Sequence, residues 1–370
     1  MSAAGPRTRS VTAVRPGPVF AVDGLLAPRY AQRLLEHWEA FPGYGLSSDG
    51  GTPRGRPVAC AVAHRPTEAV CTEHRSNIRP PLLTALGQRA DASANFVRTG
   101  GRSGSGNDTR VDLHARNNYF RATYVHGRDI WNPVVCRLLN HPVLADTARQ
   151  LFGRPVVVPT QIYANVMLPG QELGLHTDVP QFRGISREQY PLWFLVVMQH
   201  SGLFDRWRVR LATAVLHLGR THAAGGEFTY YPDGPQGASV SIPPRHNTAL
   251  LLDTDDTLHG VDRVGEVDDA PRLRSGVRLR HADGLWRLVG GDPDQSATGW
   301  RSEQLRYSIS WKAQCFSDAA ERQLLAEHAD DLTYEMIIDR LLAALPAGSA
   351  GLPPAQLGRR LIDAYIRFPT

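Results

Sequence analysis

The sequence predicts a mainly β protein with helical flanks, built as an antiparallel sandwich or barrel. Three observations predict it. Residues 156–316 read as short apolar, β-rich runs separated by Gly, Pro and Asp, with no alternating helices between them. Before and after that stretch, apolar residues recur at helical spacing. The 370 residues, 42% hydrophobic and 21% charged, have an ordinary globular composition and are enough for a sizeable core.

Taken in order, residues 1–18 are small, Pro-containing and polar, and disorder is expected there. Residues 19–155 read as a helical and loop region packed on the core. Pro28 opens a helix carrying Tyr30, Leu34, Leu35 and Trp38, and a second helix runs from Pro142 to Phe152 with Gly153 as its stop. Residues 43–56 and 99–108 are Gly/Ser-rich loops that suit either plain surface or a cover over a site. The core runs are VVVPTQIYANVML, WFLVVM, TAVLHL, FTYY, ASVSI, TALLLD and RYSISW, each read as a strand. Residues 265–300 read as an inserted hairpin turning at Asp283 and Gly284. Residues 317–370 form a helical extension, one helical stretch at 317–345 and a shorter one at 354–368. The whole is one integrated domain.

The net charge of +5, with a pI near 9.2, is small for this length, and no nucleic-acid partner is expected. No apolar run is long enough to span a bilayer, and no signal peptide is evident. Cys60, Cys71, Cys136 and Cys315 are scattered without a CxxC pair, which predicts free thiols in a reducing cytosol. The expected location is cytoplasmic, and the sequence does not specify an oligomeric state.

The densest chemical signal is LGLHTDVPQ at residues 173–181. On an extended segment His176 and Asp178, two apart, point the same way and can take adjacent positions on one metal. An imidazole and a carboxylate, joined by a second imidazole, form the facial set used by non-haem Fe(II). His259, after the apolar run at 249–252, is the best third ligand, with His217 and His246 as rivals. Downstream, Arg306 and Ser308 in LRYSISWK share one face of a strand and can together hold one carboxylate, through a planar guanidinium fork and a hydroxyl.

HTD, the GGEF turn (Gly225 to Phe228), LHG and RYSISW, in that order, resemble the Fe(II)/2-oxoglutarate-dependent dioxygenase superfamily, near its prolyl-hydroxylase-like and phytanoyl-hydroxylase-like branches. The resemblance covers residues 156–316 well. It implies a double-stranded β-helix (jelly-roll) with iron at one mouth and His176, Asp178 and His259 as ligands. It also implies that Arg306 and Ser308 bind the distal carboxylate of 2-oxoglutarate. Tyr163 and Asn165 lie where such enzymes often contact the co-substrate, although Tyr163 suits core packing equally. The interval from His259 to Arg306 is longer than the family often shows. Without the inserted hairpin, Arg263 would be the rival anchor.

The cofactors so implied are Fe(II) and 2-oxoglutarate, with ascorbate as a supporting reductant. The reaction would use O2 to oxidise a C–H bond of a small molecule, an amino acid or specialised metabolite, releasing succinate and CO2. Halogenases resembling this family carry HxG in place of HxD, so Asp178 favours hydroxylation, desaturation or rearrangement. A cupin-like metal-binding protein without turnover, or a hydroxylase of a protein or nucleic acid, would share these motifs.

Overall fold

The computed structural model describes residues 11–14, 19–47, 51, 117–187, 189–219, 224–234, 237–265, 271, 273–290, 299–345 and 348–366. The chain begins with β1 (Val11–Val14), β2 (Val19–Asp23), helix α1 (Pro28–Ala40) and β3 (Tyr44–Leu46). Then come β4 (Phe120–His126), β5 (Asp129–Ile130), α2 (Cys136–Leu139) and α3 (Pro142–Phe152). The central part holds β6 (Val156–Met167), β7 (Leu173–His176), β8 (Gln181–Phe182), α4 (Leu192–Ser201), β9 (Arg208–Leu218) and β10 (Phe228–Tyr231). It continues with β11 (Val240–Ile242), β12 (Thr248–Leu252), β13 (Leu258–Val261), β14 (Arg278–Ala282), β15 (Leu285–Val289), β16 (Gly299–Trp300) and β17 (Arg306–Phe316). Three helices close the chain: α5 (Ala319–Glu327), α6 (Tyr334–Ala343) and α7 (Pro354–Tyr365).

Two sheets make the core, and every strand pairing within them is antiparallel. In the large sheet β12, β9, β17, β6 and β4 are successive neighbours; in the small one the order is β11, β10, β13, β7. The chain passes from β6 to β7, from β9 to β10, from β11 to β12, and from β12 to β13, changing sheet each time. Four strands of each sheet thus wind as a jelly-roll. Met167, Val215, Phe228, Tyr230, Leu250 and Val261 fill the space between the sheets. The other face of the large sheet is covered by α1 to α3, where Trp38 stacks on Tyr307 at 4.2 Å and on Trp286 at 5.0 Å. Burying such a side chain contributes roughly 2–3 kcal/mol.

The alternation along β17 couples these two faces. Tyr307, Ile309, Trp311 and Ala313 enter the helix-covered core, while Arg306, Ser308 and Ser310 line the space between the sheets. The inserted hairpin is present as β14 and β15, and Asp283 (φ 51°) and Gly284 (φ 76°) make its two-residue turn. It extends the large sheet through β3, so the 43–56 loop begins with a buried strand.

Four expectations need correction. WFLVVM is not a strand but most of α4, in which residues 193–200 are all buried. A helix apolar all round has the same sequence appearance as a buried strand, and Gly202 at φ 69° ends it. Val11–Val14 pairs with β2 where disorder was expected; the rest of 1–18 lies outside the described residues. The stretch 317–345 is two helices, broken at His328 in the left-handed region (φ 54°). Cys136 is disulfide-bonded, whereas Cys315 is free and buried. Wide spacing along the chain does not measure distance through space, so the case for a reducing cytosol loses its observation. The loop at 99–108 is outside the described residues. Among the described residues no helix is long and apolar enough to cross a membrane.

Candidate metal centre and anion pocket

His176 ends β7 and His259 lies in β13, and the two are directly paired in register in the small sheet. Their rings are 4.3 Å apart. Gly260 permits this approach, because a Cβ there would come within 2.6 Å of the Leu173 carbonyl oxygen. Asp178 follows β7, its backbone N–H donating to the Thr254 carbonyl at 2.8 Å. Ligand atoms of His176, Asp178 and His259 all lie within 4.8 Å of one another.

The imidazoles are oriented for a metal. Nδ1 of His176 faces the Gly174 carbonyl oxygen at 2.8 Å, and Nδ1 of His259 faces that of Thr257 at 2.8 Å. A carbonyl only accepts, so each Nδ1 carries the proton and each Nε2 keeps its lone pair for a ligand bond. Burial, with His176 nearby, pushes the His259 imidazole down to about 3, keeping it neutral. Asp178 resists its burial because the Lys312 ammonium beside it holds it well below the usual carboxylate range. Two neutral Nε2 donors and one anionic oxygen, converging from one side, fit a divalent first-row metal with open positions.

All seven expected residues line a single cavity: Tyr163, Asn165, His176, Asp178, His259, Arg306 and Ser308. Arg306 is 2% exposed. It donates from Nε to the Gly226 carbonyl (2.7 Å), from a terminal nitrogen to Ser308 Oγ (3.3 Å), and to His217 Nε2 at 2.6 Å. Among the described residues no carboxylate lies within ion-pair distance of it. Burial pulls the guanidinium down to about 10, with Glu227 and Tyr119 acting the other way. His217 is pushed well below its ordinary value by burial and by Arg306, so it serves as a neutral acceptor. The GGEF turn has its purpose here: at φ 85° and 75°, Gly225 and Gly226 bring a backbone carbonyl onto Arg306, and a Cβ on Gly225 would lie 1.8 Å from the Arg263 carbonyl oxygen.

The rival candidates fall elsewhere. Arg263 does not line the cavity and is matched by Glu172 at 3.3 Å. His217 belongs to Arg306 and not to the ligand cluster, and His246 accepts from the Gly219 N–H outside the cavity. Tyr163 lines the cavity and is no deep core residue; the Arg121 guanidinium lies 4.3 Å from its ring centroid. Asn165 donates to Ser310 Oγ (3.1 Å) and accepts from Arg121 Nε (3.3 Å).

Sequence reasoning missed Lys312, whose Nζ lies 2.6 Å from Asp178 Oδ2, and also missed Arg121 and Tyr119 on the cavity wall. Lys312 continues the same β17 face as Arg306 and Ser308, so the alternation could have found it. Arg121 lies in a strand that the sequence reading left unassigned.

No family model matches the sequence, and no curated protein matches it. Among solved structures the chain is similar to a 2OG-Fe(II) oxygenase family oxidoreductase from Burkholderia pseudomallei, at 15% identity and TM-score 0.31, covering 53% of this chain and just under two thirds (66%) of that one. It is similar to HygX from Streptomyces hygroscopicus, solved with nickel, 2-oxoglutarate and hygromycin B bound, at 11% identity and TM-score 0.35, covering 80% and 82%. A prolyl hydroxylase from Trichoplax adhaerens, in complex with a hypoxia inducible factor peptide, is similar at 11% identity and TM-score 0.33, covering 83% and 86%.

Proposed function

We propose that the protein is an Fe(II)- and 2-oxoglutarate-dependent oxygenase acting on a C–H bond of a small molecule. One observation carries the reading: a convergent His176, Asp178 and His259 cluster shares its cavity with the buried Arg306 guanidinium, which no carboxylate among the described residues reaches within ion-pair distance. A buried cation without a counter-ion is unfavourable unless an anionic ligand completes it. A dicarboxylate with a chelating keto-acid end satisfies both halves at once.

On this reading His176, Asp178 and His259 hold Fe(II), and Arg306 with Ser308 takes the distal carboxylate. Iron chelated by 2-oxoglutarate supplies the activation of O2 that oxidises the substrate, with release of succinate and CO2. The chain's own part is positional. The carbonyls of Gly174 and Thr257 set the imidazole tautomers, His217 and Gly226 aim the guanidinium, and the sheet walls exclude water. The substrate on this reading is an amino acid or specialised metabolite, taken into the cavity that the metal-ligand cluster shares with Arg306. Tyr163 and Asn165 stand on its wall, available to the co-substrate or the substrate.

Anaerobic titration with Fe(II) and then 2-oxoglutarate tests the assignment. A weak visible charge-transfer band that saturates with 2-oxoglutarate and disappears in His259→Ala is the expected result. Absence of the band in the unaltered protein sinks the co-substrate assignment.

A further inference from the structure

The two oxygens of Asp178 are not equivalent. Oδ1 lies 3.6 Å from Nε2 of His176, on the side where the imidazoles converge. Oδ2 is taken by Lys312 Nζ at 2.6 Å. Neither partner is a loosely held surface group: the Lys312 side chain is 11% exposed and that of Asp178 24%. Lys312 sits in the middle of the large sheet, in register with Gln161 on one side and Thr213 on the other. On the Asp178 side, the Thr254 carbonyl that receives its backbone N–H belongs to a residue whose hydroxyl is 2.7 Å from that of Thr213. Both ends of the ion pair are therefore fixed to the same strand, β9. That fixity sets it apart from exposed pairs, whose ordering cost cancels their attraction.

Resting on the metal-site reading above, we infer that Lys312 is a positioning residue that restricts Asp178 to one-oxygen coordination. A carboxylate beside a divalent metal can bind through one oxygen or both. Six positions less three protein donors leave three, which a chelating keto acid and O2 together require. A second oxygen from Asp178 would occupy one of them. With Oδ2 held in a charge-assisted hydrogen bond, only Oδ1 is offered to the metal.

Co(II), an air-stable stand-in for Fe(II), is the probe. Wild type, Lys312→Met and Lys312→Arg are compared for Co(II) affinity by equilibrium dialysis, for the Co(II) visible spectrum, and for 2-oxoglutarate affinity read from that spectrum. Lys312→Met should keep its Co(II) affinity, show an altered Co(II) spectrum before any 2-oxoglutarate is added, and bind 2-oxoglutarate about tenfold or more weakly. Lys312→Arg, which can donate to the same oxygen, should recover most of both. An unaltered spectrum and unaltered 2-oxoglutarate affinity in Lys312→Met overturn the inference. Parallel loss of Co(II) affinity, 2-oxoglutarate affinity and thermal stability in both variants also overturns it, since that pattern marks a residue of structural importance only. If Lys312→Met does not fold, Lys312→Leu, which likewise has no donor, carries the same comparison. Failure of the metal-site reading is distinguishable, because then wild type itself binds no Co(II).

Discussion

Arg306→Met separates ligand binding from stability more sharply than any other single change. The side chain is 2% exposed, and burial pushes its guanidinium from 12.5 down to about 10. At about 1.4 kcal/mol per tenfold change in proton affinity, the buried charge costs the ligand-free protein roughly 3 kcal/mol. Methionine keeps most of the length and removes that cost. It also leaves the Gly226 carbonyl and His217 Nε2 without their donor, a loss of about 1–3 kcal/mol for each. The two effects largely offset, so the ligand-free variant should unfold within about 3 kcal/mol of wild type. Binding should not be spared. Removing one partner of a desolvated guanidinium–carboxylate pair costs about 3–5 kcal/mol, which weakens 2-oxoglutarate binding at least about a hundredfold. Thermal unfolding without ligand gives the first quantity, and the anaerobic Fe(II)–2-oxoglutarate titration gives the second. Unchanged 2-oxoglutarate affinity in a folded variant would refute the anchor.

Asp178→Asn and His259→Ala should each abolish stoichiometric metal binding in equilibrium dialysis, while His246→Ala, outside the cavity, should bind normally. Arg263→Met should destabilise by about 3 kcal/mol, because it breaks the buried pair with Glu172. It should leave the 2-oxoglutarate titration unchanged, and a loss of affinity there would return Arg263 as anchor. Metal-free protein should lose stability below neutrality. His259 and His217 are buried neutral, with folded values of about 3 and well below 6.5, so the unfolded chain takes up their protons first as pH falls. Their stabilisation is complete above about pH 6.5 and declines below it at about 1.4 kcal/mol per pH unit for each histidine. Asp178, depressed by Lys312 against its burial, adds a further loss as pH falls below about 3.8, its ordinary value. Melting temperatures in chelator, from about pH 8 down to about pH 3, check this; a flat profile between 7 and 5 contradicts it.

How much of this was legible depended on whether chemistry was tied to chain order or to distance. His176 with Asp178, and Arg306 with Ser308, could be placed on shared faces because a period of two along extended chain fixes which side chains point together, while His259 was read from its place after the apolar run at 249–252. The helix α4 was not, since eight successive buried residues erase the periodicity that tells helix from strand. Lys312 stood inside a quoted motif and went unread: a lysine near a strand end usually faces water, and only the packing of β6 and β9 on either side buries it. Cys136 illustrates the same limit, since its bond depends on proximity that linear spacing does not encode. The hairpin at β14 and β15, by contrast, was marked by Asp283-Gly284, whose backbone requirement is local.

Strand β17 carries Arg306 and Lys312 six residues apart on one face, locked between two neighbours along almost its whole length. It therefore acts as a ruler. An inserted or deleted residue between them would turn one of the two to the opposite face of the sheet, and a change of two would shift their separation by about 7 Å. On the proposed function, the span available to the dianion is set by a strand that cannot be re-cut. Diacids one carbon shorter or longer than 2-oxoglutarate should therefore be poor replacements, however far the outer surface drifts.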